Sequence, residues 1–175
     1  MRKFMMSCMA VFMVLSLVAC GTTAKETASK GPEGALSDII DKIYETKDTG
    51  LALMTTDIDL TNADDVKYNT GISDLSKIKE ATISEAMISA QAYSLILVRV
   101  NDSKDTKAVA EEMLKGVNPN KWICVSADDV KAAGAGDTIM LIMTSSAYAD
   151  AVTADDLVKA YETICGGKLD FTLQK

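Results

Sequence analysis

Tyr93 to Val100, YSLILVRV, is almost continuously apolar and β-favouring, and Thr138 to Met143, TIMLIM, is apolar at five of its six positions. Runs this short, rich in branched side chains and bounded by polar sequence, read as strands. The second has no polar face to offer water. It therefore belongs at the centre of a sheet, and the chain must supply enough apolar surface elsewhere to cover it.

That cover is written at helical spacing. Leu36, Ile39, Ile40 and Ile43 repeat at i, i+3, i+4 and i+7, with Asp38, Asp41, Lys42 and Glu45 on the opposite side. Asp102 or Ser103 caps a second helix whose apolar stripe is Val109, Ala110, Met113 and Leu114, and Gly116 followed by Pro119 stops it. A third opens on Thr153-Ala154-Asp155-Asp156, a capping box with Asp in the Glu position. It continues through Leu157, Ala160, Tyr161 and Ile164 to Gly166-Gly167. Two further strands are expected at Glu80 to Ser89 and Trp122 to Val125, with a turn at Ser89 to Ala92 and turn material at Ala133 to Asp137. Asp57 to Gly71 reads mostly as loop with a short helix near Ala63 to Tyr68, and Ser145 to Val152 has helical character. The resulting order, αββαββα, predicts an α+β fold: a four-stranded, mainly antiparallel sheet with helices packed on one face.

At 175 residues this is one domain, and its composition excludes several functions. There is no histidine, which removes Ser-His and Cys-His nucleophile activation and every His-ligated metal scheme. The 25 acidic residues outnumber the 18 basic ones, so nucleic acid is not an expected partner. At the start of the chain, Arg2 and Lys3 precede an apolar run from Phe4 to Ala19 that is broken by Ser7 and Ser16. The layout is that of a secretory leader, shorter than the roughly 20 apolar residues a membrane span requires.

The leader ends in Leu17-Val18-Ala19-Cys20-Gly21, which resembles the lipobox of bacterial lipoproteins. That resemblance implies acylation of Cys20, with cleavage leaving it as the first residue. Two acyl chains of the palmitate type make such an anchor stable where one does not. Removal of residues 1–19 leaves 16 basic residues against 25 acidic, a net charge of −9, so lipid rather than charge would hold the body at the membrane. Residues 20–34 are the lipidated cysteine followed by GTTAKETASKGPEG, which lacks core-forming side chains and reads as a flexible tether of about 45 Å at full extension. Residues 35–175 are the folded domain.

Two cysteines then remain, Cys124 and Cys165. In an exported chain they either form a disulfide, closing a loop of about 40 residues worth roughly 3–4 kcal/mol, or stay as two small apolar thiols. Neither lies in a CxxC motif. The acidic run Asp57, Asp59, Asp64 and Asp65 fails the EF-hand pattern, since Asn62 stands where glycine is needed and Tyr68 where the bidentate glutamate belongs; an irregular cation site and a solvated acidic loop both remain open. Asp128-Asp129 and Asp155-Asp156 carry the same two readings, and the second pair also suits a helix N-terminus. Gly134 and Gly136 lack the third glycine of a dinucleotide fingerprint. Trp122 beside Lys121, with Tyr93, Tyr148 and Tyr161, are the side chains a ligand cleft would use, although core packing accounts for each aromatic more simply.

From about Ile72 to Leu173, through SAQAYSLILVRVNDSKD, GVNPNKWICVSADDV, GDTIMLIM and ICGGKLD, the chain resembles a family of small clostridial-type lipoproteins grouped as domain of unknown function 4358. The resemblance implies an exported α+β domain and transfers no catalytic residue. The expectation is a lipid-anchored protein on the extracytoplasmic face of the cell membrane, acting without a cofactor or bound metal as a non-enzymatic binding module for a protein, cell-wall or small-molecule ligand. The alternative is an envelope enzyme using carboxylates or a metal, which requires several of Asp57, Asp59, Asp64, Asp65, Asp128 and Asp129 around one cavity.

Overall fold

The computed structural model describes Ser29 and residues 31–175; the leader, Cys20 and most of the expected tether lie outside the described residues. Four helices and six strands follow in the order α1 (Leu36–Thr46), β1 (Leu53–Asp57), α2 (Ala63–Thr70), β2 (Ile78–Ala86), β3 (Tyr93–Val100), α3 (Thr106–Gly116), β4 (Asp129–Ala135), β5 (Thr138–Thr144), α4 (Ala154–Ile164) and β6 (Phe171–Gln174). All six strands form one antiparallel sheet in the order β1-β2-β3-β5-β4-β6. The two apolar runs are its centre. Every residue of β3 and β5 is buried, and they pair in unbroken register from Tyr93 opposite Thr144 to Arg99 opposite Thr138.

Side chains alternate across a strand, so β3 sends Tyr93, Leu95 and Leu97 to one face and Ile96, Val98 and Val100 to the other. Each set has its own core. The first packs with Leu36, Ile39, Ile40 and Ile43 of α1 and with Leu157, Ala160 and Tyr161 of α4. The second packs with Val109, Ala110, Met113 and Leu114 of α3 and Val66 of α2. Helices therefore cover both faces, correcting the expected one-sided sandwich: two central strands without a polar side cannot leave either face to water. The α+β class stands, and the sheet has six strands rather than four.

The missed strands have physical causes. The last three residues of β4, Ala133 to Ala135, belong to the stretch expected as turn material, Ala133 to Asp137, because small residues have low β propensity. Here that smallness is required: a methyl group at Gly134 would lie 2.3 Å from the Phe171 ring of β6. The turn is only Gly136-Asp137, with Gly136 at φ 59°, joining β4 to β5 as a two-residue hairpin. Trp122 to Val125 is not a strand. It forms bends around Cys124, whose φ of 61° is incompatible with extended pairing. The edge strands β1 and β6, five and four residues long, are too short and too polar to stand out in sequence. Thr153 and Asp156 do form the expected reciprocal cap of α4.

The described part of the expected tether is docked on the body. Arg99, whose side chain is 11% exposed, donates to the carbonyl oxygens of Pro32 (3.1 Å) and Gly34 (3.1 and 3.2 Å) and pairs with Glu80. The Ser29 amide donates to Asp170 Oδ1 at 2.7 Å and the Gly136 amide to Asp170 Oδ2 at 2.8 Å. The chain thus enters at the end of the sheet where β3 finishes and β5 begins. Among the described residues, the side chains of the two cores all lie downstream of Ala35 and the docking contacts come from Ser29, Pro32 and Gly34, so the chain from Gly21 onward contains all of them.

Two outcomes follow from this packing. A Cβ on Gly116 would lie 2.1 Å from the Gly71 carbonyl oxygen, a backbone atom at the cap of α2, so Gly116→Ala should lower unfolding free energy by about 1–3 kcal/mol in denaturant titration. At Asp170, partial burial raises the carboxyl pKa, but the Ser29 and Gly136 amides together outweigh it and hold the group below its ordinary 3.8. A depressed folded value means that this contact stabilises fully above pH 3.8 and is lost as pH falls through the lower folded value. The Gly136 amide proton resonance should therefore titrate with a midpoint below 3.8, and Asp170→Asn should abolish that transition.

Candidate ligand-binding cleft

At the opposite end of the sheet, β2 finishes at Ala86 and the loop before β4 crosses the α2/α3 face. A cleft of about 330 Å³ opens between them, lined by Tyr68, Glu85, Met87, Lys121 and Trp122 among others. Lys121 forms its floor. Its side chain is only 3% exposed, and Nζ lies 2.6 Å from Glu85 Oε1 and 3.4 Å from Ser94 Oγ. Glu85 and Ser94 are register partners on β2 and β3, so the sheet itself places both acceptors. The ammonium also sits 5.2 Å from the Trp122 ring centre and 5.8 Å from that of Tyr68, within cation–π range. Tyr68 is held from the other side, its hydroxyl donating to the Lys121 carbonyl at 3.4 Å. A lysine buried this way is charge-neutralised and immobile: it orients the two rings rather than offering a free amine.

Around this floor the surface is apolar. Met54, Tyr68, Met87, Ile88 and Ile123, the large hydrophobic side chains exposed among the described residues, are each more than half exposed. All belong to one corner. Met54 stands opposite Glu85 across the β1/β2 pair, Met87 and Ile88 follow directly on β2, and the Ile123 amide donates to the Ser89 carbonyl. Scattered apolar side chains are normal on a protein surface, but their concentration beside an aromatic cleft marks a binding surface. Methionine suits such a surface because its unbranched, polarisable side chain repacks at little cost.

Of the residues weighed from sequence, Lys121 and Trp122 line this cleft. Tyr93 and Tyr161 are fully buried in the α1/α4 core, and Tyr148 packs against that core. Sequence reasoning missed Tyr68, Glu85, Met54 and Met87, which come together only through strand register and the return of α2 beside α3. The acidic residues are dispersed. Asp57 accepts from Thr82 Oγ1, Asp59 from Thr61, Asp65 from Asn69 and Asp128 from Ser146, while Asp129 lies 3.6 Å from Lys131 Nζ. Asp57 and Asp59 stand at the chain-entry end of the sheet, Asp128 and Asp129 at the cleft end. Hydroxyl and amide donors from Thr61 and Ser146 hold Asp59 and Asp128 below the ordinary carboxyl range. Among the described residues, no group of three or more His, Cys, Asp or Glu side chains is arranged to hold a metal ion. Comparison with family models, curated proteins and solved structures gives no match.

Cys124 and Cys165 are both free thiols, the first exposed beside the cleft and the second buried against the α1/α4 core. The sheet lies between those two environments, so the structure does not join them. Burial pushes the Cys165 thiol up to about 11, leaving about one part in a thousand as thiolate at pH 8. Thiol titration of the chain from Gly21 at pH 8 should accordingly count one fast-reacting group, Cys124, and a second only after unfolding. A disulfide would give none.

Proposed function

We propose that this protein is an extracytoplasmic lipoprotein of the family it resembles, moored through acylated Cys20, and that it acts as a non-enzymatic binding module whose ligand surface is the Tyr68–Lys121–Trp122 cleft. The observation that carries this reading is the placement of the cleft relative to the chain entry. Ser29, Pro32 and Gly34 dock where β3 ends, and the cleft opens where β3 begins, about 25 Å away along eight residues of strand. A body anchored through residues 20–28 presents that apolar corner away from the membrane. Among the described residues, no helix is long and apolar enough to cross a bilayer, so the anchor in this reading is the lipid.

A binding role agrees with the chemistry of the cleft. Acid–base catalysis calls for titratable groups free to exchange protons at a substrate, whereas the carboxylate of Glu85 and the ammonium of Lys121 are engaged with each other. The dispersed aspartates give the carboxylate-enzyme alternative no shared cavity. What the site offers is two rings, a fixed cation and flexible apolar side chains, which select by shape and apolar contact.

Trp122 is the sole tryptophan, so its emission reports the cleft directly. Titration of the chain from Gly21 with anilinonaphthalene sulfonate should quench Trp122 by energy transfer with a saturable curve. Met87→Glu should weaken that binding at least tenfold while leaving circular dichroism unchanged. Intact mass of the exported protein should show an N-terminal Cys20 carrying a diacylglyceryl group, and an unmodified sulfur with the leader still attached would refute the anchored reading.

A further inference from the structure

The cleft is continuous with an open sheet edge. In the β1/β2 pair the Met87 amide donates to the Ala52 carbonyl and the Ile58 amide to the Ala81 carbonyl, so the mutually bonded positions of this segment are 52, 54, 56 and 58. Leu53, Thr55 and Asp57 therefore turn their N–H and C=O groups away from β2, and among the described residues these groups meet no backbone partner. Natural edge strands are normally blunted by lysine, proline or a bulge. β1, LMTTD, has none of these and pairs in unbroken register over its whole length. Met54, on the same strand, stands beside Glu85 at the margin of the cleft. Backbone recognition along β1 and side-chain recognition in the cleft thus share one boundary.

Resting on the reading of the cleft as a binding surface, we propose that its ligand is an extended segment of a partner protein, which adds to β1 as a seventh strand and places an alternate apolar side chain against Met54, Met87 and Trp122. Main-chain hydrogen bonds to Leu53, Thr55 and Asp57 supply affinity and the cleft supplies specificity, the logic of strand addition. Charge defines the partner further. β1 contains no basic residue and ends at exposed Asp57, with exposed Asp59 beyond it, on a chain of net charge −7. The added strand therefore carries a Lys or Arg toward Asp57. The net charge also disfavours a second copy of this chain as the occupant.

The probe is a fluorescein-labelled octapeptide alternating Val with Thr and carrying one terminal Lys, titrated by anisotropy against the chain from Gly21. Two N-methylated forms are compared with it, one blocking the amides that face β1 and the other blocking the alternate set. Methylation of one set should weaken binding at least tenfold and methylation of the other less than threefold. Thr55→Pro removes an outward N–H without touching a bond to β2 and should weaken binding at least tenfold. Equal sensitivity to both methylated sets, or binding to a folded Thr55→Pro variant at full strength, overturns the proposal. Should that variant fail to fold, the methylated peptides alone decide. Dye binding at Trp122 without peptide binding refutes strand addition and leaves the cleft reading standing; absence of both refutes both. A Trp122 response that depends on protein concentration rather than peptide concentration assigns the edge to a second copy and likewise overturns the proposal.

Discussion

The pairing of β3 with β5 is the constraint on which the rest of the fold depends. Seven successive register pairs, all buried, place Leu95, Leu97, Met140 and Ile142 on one face and Ile96, Val98, Ile139 and Leu141 on the other. Because both faces are apolar, a helix layer on one side alone would leave several large side chains in water, each costing about 1.5–3 kcal/mol relative to burial. α1 and α4 close one face, α2 and α3 the other. The edge strands inherit a different requirement: in β1 and β6 no side chain is fully buried and only alternate ones are half-buried, which is why their sequences remain polar.

This division explains what could be read in advance. Helices α1, α3 and α4 were legible because each carries its apolar stripe within one turn-periodic segment, Leu36 to Ile43, Val109 to Leu114 and Leu157 to Tyr161, whereas α2 buries a single apolar residue, Val66. β3 and β5 were legible by apolar density. β4 was not, because its Ala and Gly residues are chosen for the space beneath Phe171 and the helices, a tertiary demand that local propensity opposes. The cleft was half legible. Lys121 and Trp122 are adjacent in sequence, but Glu85 is brought to them by strand register and Tyr68 by the return of α2 beside α3, and nothing local in those segments announces it.

Arg99 shows how the ends of the sheet acquire different roles. It stands on β3 at the chain-entry end, where the strand leaves its helix cover, and a buried guanidinium there needs several acceptors. Glu80 and Thr138 supply two from the sheet, the carbonyls of Pro32 and Gly34 supply two more, and the Asp137 carboxylate lies 3.7 Å from Nε. The incoming chain is thus part of Arg99's solvation, and its path is fixed where it meets the body.

Lys121 poses the complementary problem at the far end. A buried ammonium costs several kcal/mol unless its desolvation is offset, and an apolar residue of similar size would pack there without that cost. Its pairing with Glu85, contact with Ser94 and approach to two ring faces offset the loss while imposing directions that a leucine could not. The consequence is a pair of aromatic planes held against one ammonium amid exposed methionines. Rigid rings lose little entropy when a ligand stacks on them, and the methionines adapt to its outline, so the corner combines preorganisation with tolerance. Such a surface exposed in water is an aggregation liability unless something limits it. Here the surrounding acidic body provides repulsion between copies, and among the described residues the confinement of the large exposed apolar side chains to one end of the sheet leaves that repulsion effective over the rest of the body.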